Sequence, residues 1–273
     1  MKKKLGICLS GGGARGAYQI AVLKVLQEAG ILDDIHAISG SSVGSLNAVL
    51  LAMKDLTIAE NLWLSMDKDS LFSEEQNFIK KMFKEGKAFV FKGYYNTQRF
   101  EELIDNTVQY DAVYNNDIYV STSHVGDENV TIAELLSLNV RNMFDKENHT
   151  RYPLLRELTQ EDIKKTLLAS CAIPVFFKPV VINNETYYDG GVLDNTPITP
   201  LINAGCEEII VIDLFRLKMK KTSDDKNITI HTITPSRSLS GILNFSNKQM
   251  HRRFEIGKKD AEKFIQKYKP EDH

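Results

Sequence analysis

The chain has 273 residues, enough for one large α/β domain or two small ones around a properly buried core. With 34 basic against 36 acidic side chains, its net charge of -2 supplies no global basic field for nucleic acid, and 42 % hydrophobic residues exclude a disordered chain. No stretch approaches the roughly 18 to 20 apolar residues of a membrane-spanning helix, so any lipid is expected to be met from outside.

The opening "MKKKLGICLSGGG" sets a basic cluster before an apolar stretch, superficially like a secretion signal. Leu5 to Leu9 is too short for the apolar region of such a signal and ends in glycines rather than a cleavage site. It is expected as a buried first strand, and the protein as cytoplasmic. Cys8, Cys171 and Cys206 form no C-x-x-C pair and lie near no His at ligand spacing, so they are expected as buried, reduced thiols and no metal is expected.

Residues 14 to 29 read as a helix closed by Gly30, Ile35 to Ser39 as a second strand, and Val43 to Met53 as a second apolar helix. Strand, helix, strand, helix is the signature of a parallel sheet. Residues 54 to 116 fit this rhythm least and are expected to form a lid or cap, with Trp63 and an aromatic group at Phe72, Phe78, Phe83, Phe89, Phe91, Tyr94 and Tyr95. Within 73 to 95, Lys80, Lys81, Lys84, Lys87 and Lys92 mingle with these aromatics. Such a stretch can dock peripherally on an anionic bilayer or open as a lid. The favoured reading is plainer: aromatics packed on the domain and lysines left in water.

Further along, residues 117–125 look like a strand, 161–170 a helix and 207–215 a buried strand. Between them "KPVVINNETYYDGG" alternates around Asn183-Asn184, a dipeptide suited to a tight hairpin turn with positive φ. Thr196-Pro197 is expected to start a helix that ends at Gly205, residues 227–233 to form a last strand, and 243–268 a charged surface helix. There is no internal repeat.

Two glycine motifs carry the chemistry. "GGGARG" can be written G-x-G-x-x-G through Gly11, Gly13 and Gly16, but the next strand ends in Ser39-Gly40-Ser41-Ser42 instead of the acidic residue a dinucleotide site needs. No Lys-Ser or Lys-Thr follows for a phosphate loop. What remains is a set of unobstructed backbone amides at a helix N-terminus, suited to stabilising negative charge. Arg15 opposes the helix dipole there, so a carboxylate elsewhere in the fold or a substrate phosphate is expected to compensate it, unless it orders the loop. The second motif, Gly40-Ser41-Ser42-Val43-Gly44, matches G-x-S-x-G between a strand and a helix, where a nucleophilic Ser42 can sit on a sharp turn. If the first two strands are parallel neighbours, the amides of Gly11, Gly12 and Gly13 face an acyl carbon attacked by Ser42, as an oxyanion hole. The serine needs a base, and two candidates stand open: His231, downstream of several acids, and Asp189 in "YYDGG", beside Gly190 and Gly191. Asp194 is expected in a turn and Asp213 as a structural carboxylate.

In their order, Gly11-Gly12-Gly13-Ala14-Arg15-Gly16, Gly40-Ser41-Ser42-Val43-Gly44 and Asp189-Gly190-Gly191 resemble the patatin-like phospholipase family, as do "ASCAIPVFFKPV" before the aspartate and "DNTPITPLINAG" after it. The resemblance implies a three-layer α/β/α sandwich with a mainly parallel central sheet, a single domain over 1–273 and a variable segment at 54–116. It further implies hydrolysis of lipid acyl esters without a metal or other cofactor, with Ser42 as nucleophile, Asp189 as base of a two-residue dyad and the glycine loop as oxyanion hole. Two rivals stand beside it: a thioesterase or small-ester esterase with the same dyad, and a non-catalytic acyl-lipid-binding module.

Overall fold

The computed structural model describes residues 3–66, 97–126, 149–174, 176–215 and 227–268. Their strands are β1 (Leu5–Leu9), β2 (Ile35–Ser41), β3 (Ile118–Gly126), β4 (Thr150–Arg151), β5 (Val180–Ile182), β6 (Glu185–Asp189), β7 (Glu208–Ile212) and β8 (Thr229–Ile233). The helices are α1 (Gly16–Glu28), α2 (Val43–Ala52), α3 (Leu56–Ser65), α4 (Gln98–Thr107), α5 (Tyr110–Tyr114), α6 (Gln160–Ser170), α7 (Thr199–Asn203) and α8 (Asn247–Ile265), with short 3-10 turns between some of them.

One mixed sheet runs in the order β5-β6-β3-β2-β1-β7-β8, with β4 also paired to β3. From β3 to β8 all neighbours are parallel, while β6 joins β3 antiparallel and β5 closes the hairpin. The continuous apolar run of β1 is buried at every position, as a central parallel strand covered on both faces requires. Its alternation divides the core. Leu5, Ile7 and Leu9 join the larger cluster with α1, α2 and α3, whereas Cys8 joins a smaller one with Leu201 of α7. The α/β/α arrangement is therefore asymmetric among the described residues, with most helical mass on one face.

Helix α2 is buried at every position except Leu46, so its one amide side chain must be satisfied inside the core. Asn47 donates to the Gly16 carbonyl (3.1 Å) and to Gln19 Oε1 (2.8 Å), and accepts from Trp63 Nε1 (2.9 Å). Gln19 in turn donates to the carbonyls of Ser10 (2.8 Å) and Ile212 (3.2 Å). This chain of bonds ties three helices to the carboxyl ends of β1 and β7, directly beneath the two glycine motifs.

Two expectations about helices are revised. The helix placed at Thr196-Pro197 begins at Thr199, with Pro200 as its early proline, and Gly205 follows its end at φ +81°. The C-terminal helix starts at Asn247 and is not simply a surface helix: it lies along α1, with Met250, Arg253 and Asp260 buried. Tyr18 donates to Asp260 across that contact (3.3 Å), and a Cβ on Gly257 would lie 2.6 Å from the Tyr18 carbonyl oxygen. The expected lid over 54–116 is described only as α3, α4 and α5. Its aromatic and basic stretch, with the membrane contact expected at 73–95, lies outside the described residues apart from the buried Trp63.

Candidate active site

Ser42 follows β2 and caps α2 with φ 51° and ψ -129°, a left-handed position that costs a non-glycine residue roughly 1–3 kcal/mol. Neighbouring backbone closes around it. A Cβ on Gly40 would sit 2.3 Å from the Gly44 carbonyl oxygen, and one on Gly44 only 2.2 Å from that of Leu9, so both flanks of the elbow require glycine. The Ser42 N–H donates to Ser170 Oγ (2.9 Å), which donates to the Ser121 carbonyl (2.8 Å). The Ser42 carbonyl accepts from the Ser45 N–H (2.8 Å) and hydroxyl (2.6 Å).

Register brings Asp189 to the same place. Strand β3 lies between β2 and β6, its Ser121 paired with Ser41 and its Thr122 with Asp189. Asp189 is 4 % exposed; Oδ1 accepts the backbone Gly191 N–H at 2.6 Å, and the Ser42 hydroxyl is a side-chain partner. Burial pushes its carboxyl up to about 7, while the bonds from Ser42 and Gly191 pull the other way. The glycines after it leave no room for a side chain: a Cβ on Gly190 would approach the Ser121 carbonyl oxygen to 2.2 Å, and one on Gly191 the Asn195 Oδ1 to 2.7 Å.

The glycine loop reaches the site from β1. Gly11, expected as a third oxyanion donor, spends its N–H on the Asn195 carbonyl (3.1 Å), and Asn195 Nδ2 answers to the Gly11 carbonyl (3.3 Å). A Cβ there would lie 3.0 Å from that of Ser42, so its glycine serves close approach. The amides of Gly12 and Gly13 have no partner among the described residues. Gly13 stands at φ +54°, against the Ile242 carbonyl. Gly16 opens α1 against Trp63 and Val43. Among the described residues Arg15 orders the loop: Nε donates to the Ser240 carbonyl (2.9 Å), and the guanidinium sits 5.0 Å from the centre of the Phe215 ring.

Of the two candidate bases, only Asp189 is brought to Ser42. His231 sits mid-strand in β8, opposite Ile210, with Nε2 2.9 Å from Glu208 Oε1 and its ring against Phe264 and Tyr268. Asp194 accepts from Tyr152 (2.7 Å) and the Thr196 N–H (3.3 Å), and Asp213 from Ser10 (3.3 Å) and the Phe215 N–H (3.0 Å), as structural carboxylates do. Two nearby residues, Ser170 and Asn195, escaped the sequence reading, although they lie in stretches quoted for the resemblance. A third, Cys171, expected there only as a buried thiol, is half-buried as a residue, and its thiol meets the hydroxyls of Ser42 and Ser45. Burial, then the nearby Asp189, pushes that thiol well above its usual range.

Ser42 opens into a cavity of about 80 Å³ with almost wholly apolar walls, among them Trp63, Phe100, Leu168, Phe177 and Phe245. Among the described residues no group of three or more His, Cys, Asp or Glu side chains could hold a metal ion. No described helix is long and apolar enough to cross a membrane.

The patatin-like phospholipase family profile matches residues 7–202, which contain the glycine loop, the elbow and the aspartate turn. The chain belongs to the patatin-like phospholipase family. Membership places it among the lipid ester hydrolases. It is 28 % identical over 212 residues to the lysophospholipase NTE1 of Cryptococcus neoformans, covering 78 % of this chain and 11 % of that protein. It is 26 % identical over 232 residues to the neuropathy target esterase sws of Drosophila melanogaster, covering 82 % and 13 %. The chain thus spans about a tenth of the length of these curated relatives. VipD from Legionella pneumophila shares the fold, with a TM-score of 0.56 at 13 % identity over 98 % of this chain and 67 % of that one.

Proposed function

We propose that this member of the patatin-like phospholipase family is a serine lipid acyl hydrolase of lysophospholipase or phospholipase A type, working through Ser42 and Asp189. The observation that carries the reading is the contact between a strained serine that lines an apolar cavity and a buried carboxyl pushed up to about 7. An aspartate at its ordinary value is a weak base; one raised towards neutrality approaches the optimum for taking a proton near pH 7.

Ser42 Oγ attacks the ester carbonyl carbon while Asp189 accepts its proton. The amides of Gly12 and Gly13 stabilise the tetrahedral oxyanion, and the donor nearer β1, Gly11, holds the loop instead of the intermediate. Collapse breaks the acyl carbon–oxygen bond, and Asp189 returns the proton to the departing alcohol. The acyl-serine is then attacked by water, whose proton passes to Asp189 and on to Ser42 as the fatty acid leaves. The apolar cavity suits an acyl chain, which would cost solvation energy to leave in water.

The test is release of free fatty acid from micellar lysophospholipid. Wild type and His231→Ala are expected to turn over, and Ser42→Ala and Asp189→Asn to be silent. Loss of activity in His231→Ala with activity kept in Asp189→Asn would replace the dyad by a triad.

A further inference from the structure

Arg253 lies on α8, beyond the matched family region, and is among the largest side chains with no exposure. A guanidinium in such a place is normally matched by a carboxylate. Among the described residues none is its partner. Nε donates to the Leu239 carbonyl (2.9 Å), Nη1 to those of Ala14 (2.8 Å) and Asn244 (2.7 Å), and Nη2 to that of Gly241 (3.1 Å). The Ala14 N–H donates to the Ile242 carbonyl (2.7 Å), and Arg15 holds that of Ser240. From Leu239 to Asn244, every carbonyl but that of Leu243 is thereby held by the glycine loop's own residues or by Arg253.

This irregular segment has two duties at the site. The Ile242 carbonyl stands where a Cβ on Gly13 would be, 2.4 Å away, so it backs one of the two unpartnered amides. Leu243 and Phe245 line the cavity. With no helix or strand to fix it, the segment depends on its clamp.

We infer that Arg253 is a positioning residue, which presses the 239–245 segment against the glycine loop and so fixes both the Gly12 and Gly13 donors and one wall of the cavity. The inference rests on the hydrolase reading. A planar fork suits diverging carbonyls, whereas the single ammonium of a lysine cannot span them. Burial, with Arg15 and Arg252 nearby, lowers the guanidinium to about 10, so it stays charged at neutral pH.

The experiment measures the rate at which a fluorophosphonate labels Ser42, and kcat and KM on a short soluble ester that leaves the cavity unfilled. Variants are Arg253→Lys, Arg253→Gln in case the lysine variant does not fold, and Ile256→Ala, a cavity in the same helix that leaves the clamp in place. For the arginine variants we expect labelling and kcat to fall about tenfold or more, less than the roughly hundredfold or more that outright removal of an oxyanion donor costs, with KM within about twofold. Ile256→Ala, with melting measured alongside, should keep its rate. Arginine variants that label like wild type, or an Ile256→Ala that loses as much rate as they do for the same loss of stability, would overturn the clamp. Wild type that fails to label at Ser42 would overturn the hydrolase reading, and the clamp's role with it.

Discussion

Asp189 and Glu208 are both acids on strands of one sheet, each beside a group able to exchange a proton, and their surroundings differ. Glu208 begins β7 and meets His231 mid-strand, under the rings of Phe264 and Tyr268. Asp189 ends β6 at the edge where β1 and β2 deliver the glycine loop and the elbow, and its nearest partners are a hydroxyl and an amide rather than a cation. The first arrangement anchors the end of α8. The second leaves a carboxyl whose charge is costly and whose proton is exchangeable. Position on the sheet, more than residue type, separates a structural acid from a candidate base.

The sharpest break in that comparison is by substitution. Ser42→Ala and Asp189→Asn are each expected to lower fatty-acid release about a thousandfold or more, while His231→Ala stays within about twofold. A pH profile comes next: kcat/KM should climb about tenfold per unit below pH 7 and level off above it, because Asp189 must be unprotonated to act and burial holds it at about 7. A flat profile between pH 5 and about 8 would contradict this. Ser170→Ala is expected to lower kcat about tenfold, since it leaves the Ser42 N–H unpaired in the buried elbow.

Stability gives the smallest effect, with a definite sign. A carboxyl raised in the fold above its unfolded value of about 4 contributes fully only below that pH, and the contribution is lost as pH rises through about 7. Asp189→Asn, which keeps an acceptor for the Gly191 N–H, should therefore be more stable than wild type by about 1–3 kcal/mol at pH 8, with the gain vanishing near pH 4. Denaturant melts at the two pH values would show it, and an equal difference at both would remove burial as the cause.

Much of this was legible in the residues. Compact apolar runs punctuated by glycine gave away β1, α1, β2 and α2, and Asn183 and Asn184 take the positive φ values, 51° and 64°, that their hairpin turn needs. The helix start at Thr196 was misread because that backbone is engaged by the site: the Asn195 carbonyl accepts from Gly11 and the Pro197 carbonyl from Ser39 (2.6 Å). Only the folded chain shows the Asn195 carbonyl occupying the Gly11 amide, which is why the proposed oxyanion donors narrow to Gly12 and Gly13. The long C-terminal helix looked like a solvated one because arginine and lysine dominate it. Nothing in its pattern marks Arg253 as the buried one, because its partners are carbonyls of a distant irregular segment.

The central claim is that Ser42 is a nucleophile activated by Asp189. It is tested most directly by fluorophosphonate labelling of wild type, Ser42→Ala and Asp189→Asn, read by intact mass and peptide mapping. A single adduct on Ser42 in wild type, absent from Ser42→Ala and slowed by orders of magnitude in Asp189→Asn, is the predicted result. An adduct on another residue, or labelling of Asp189→Asn at the wild-type rate, would contradict it.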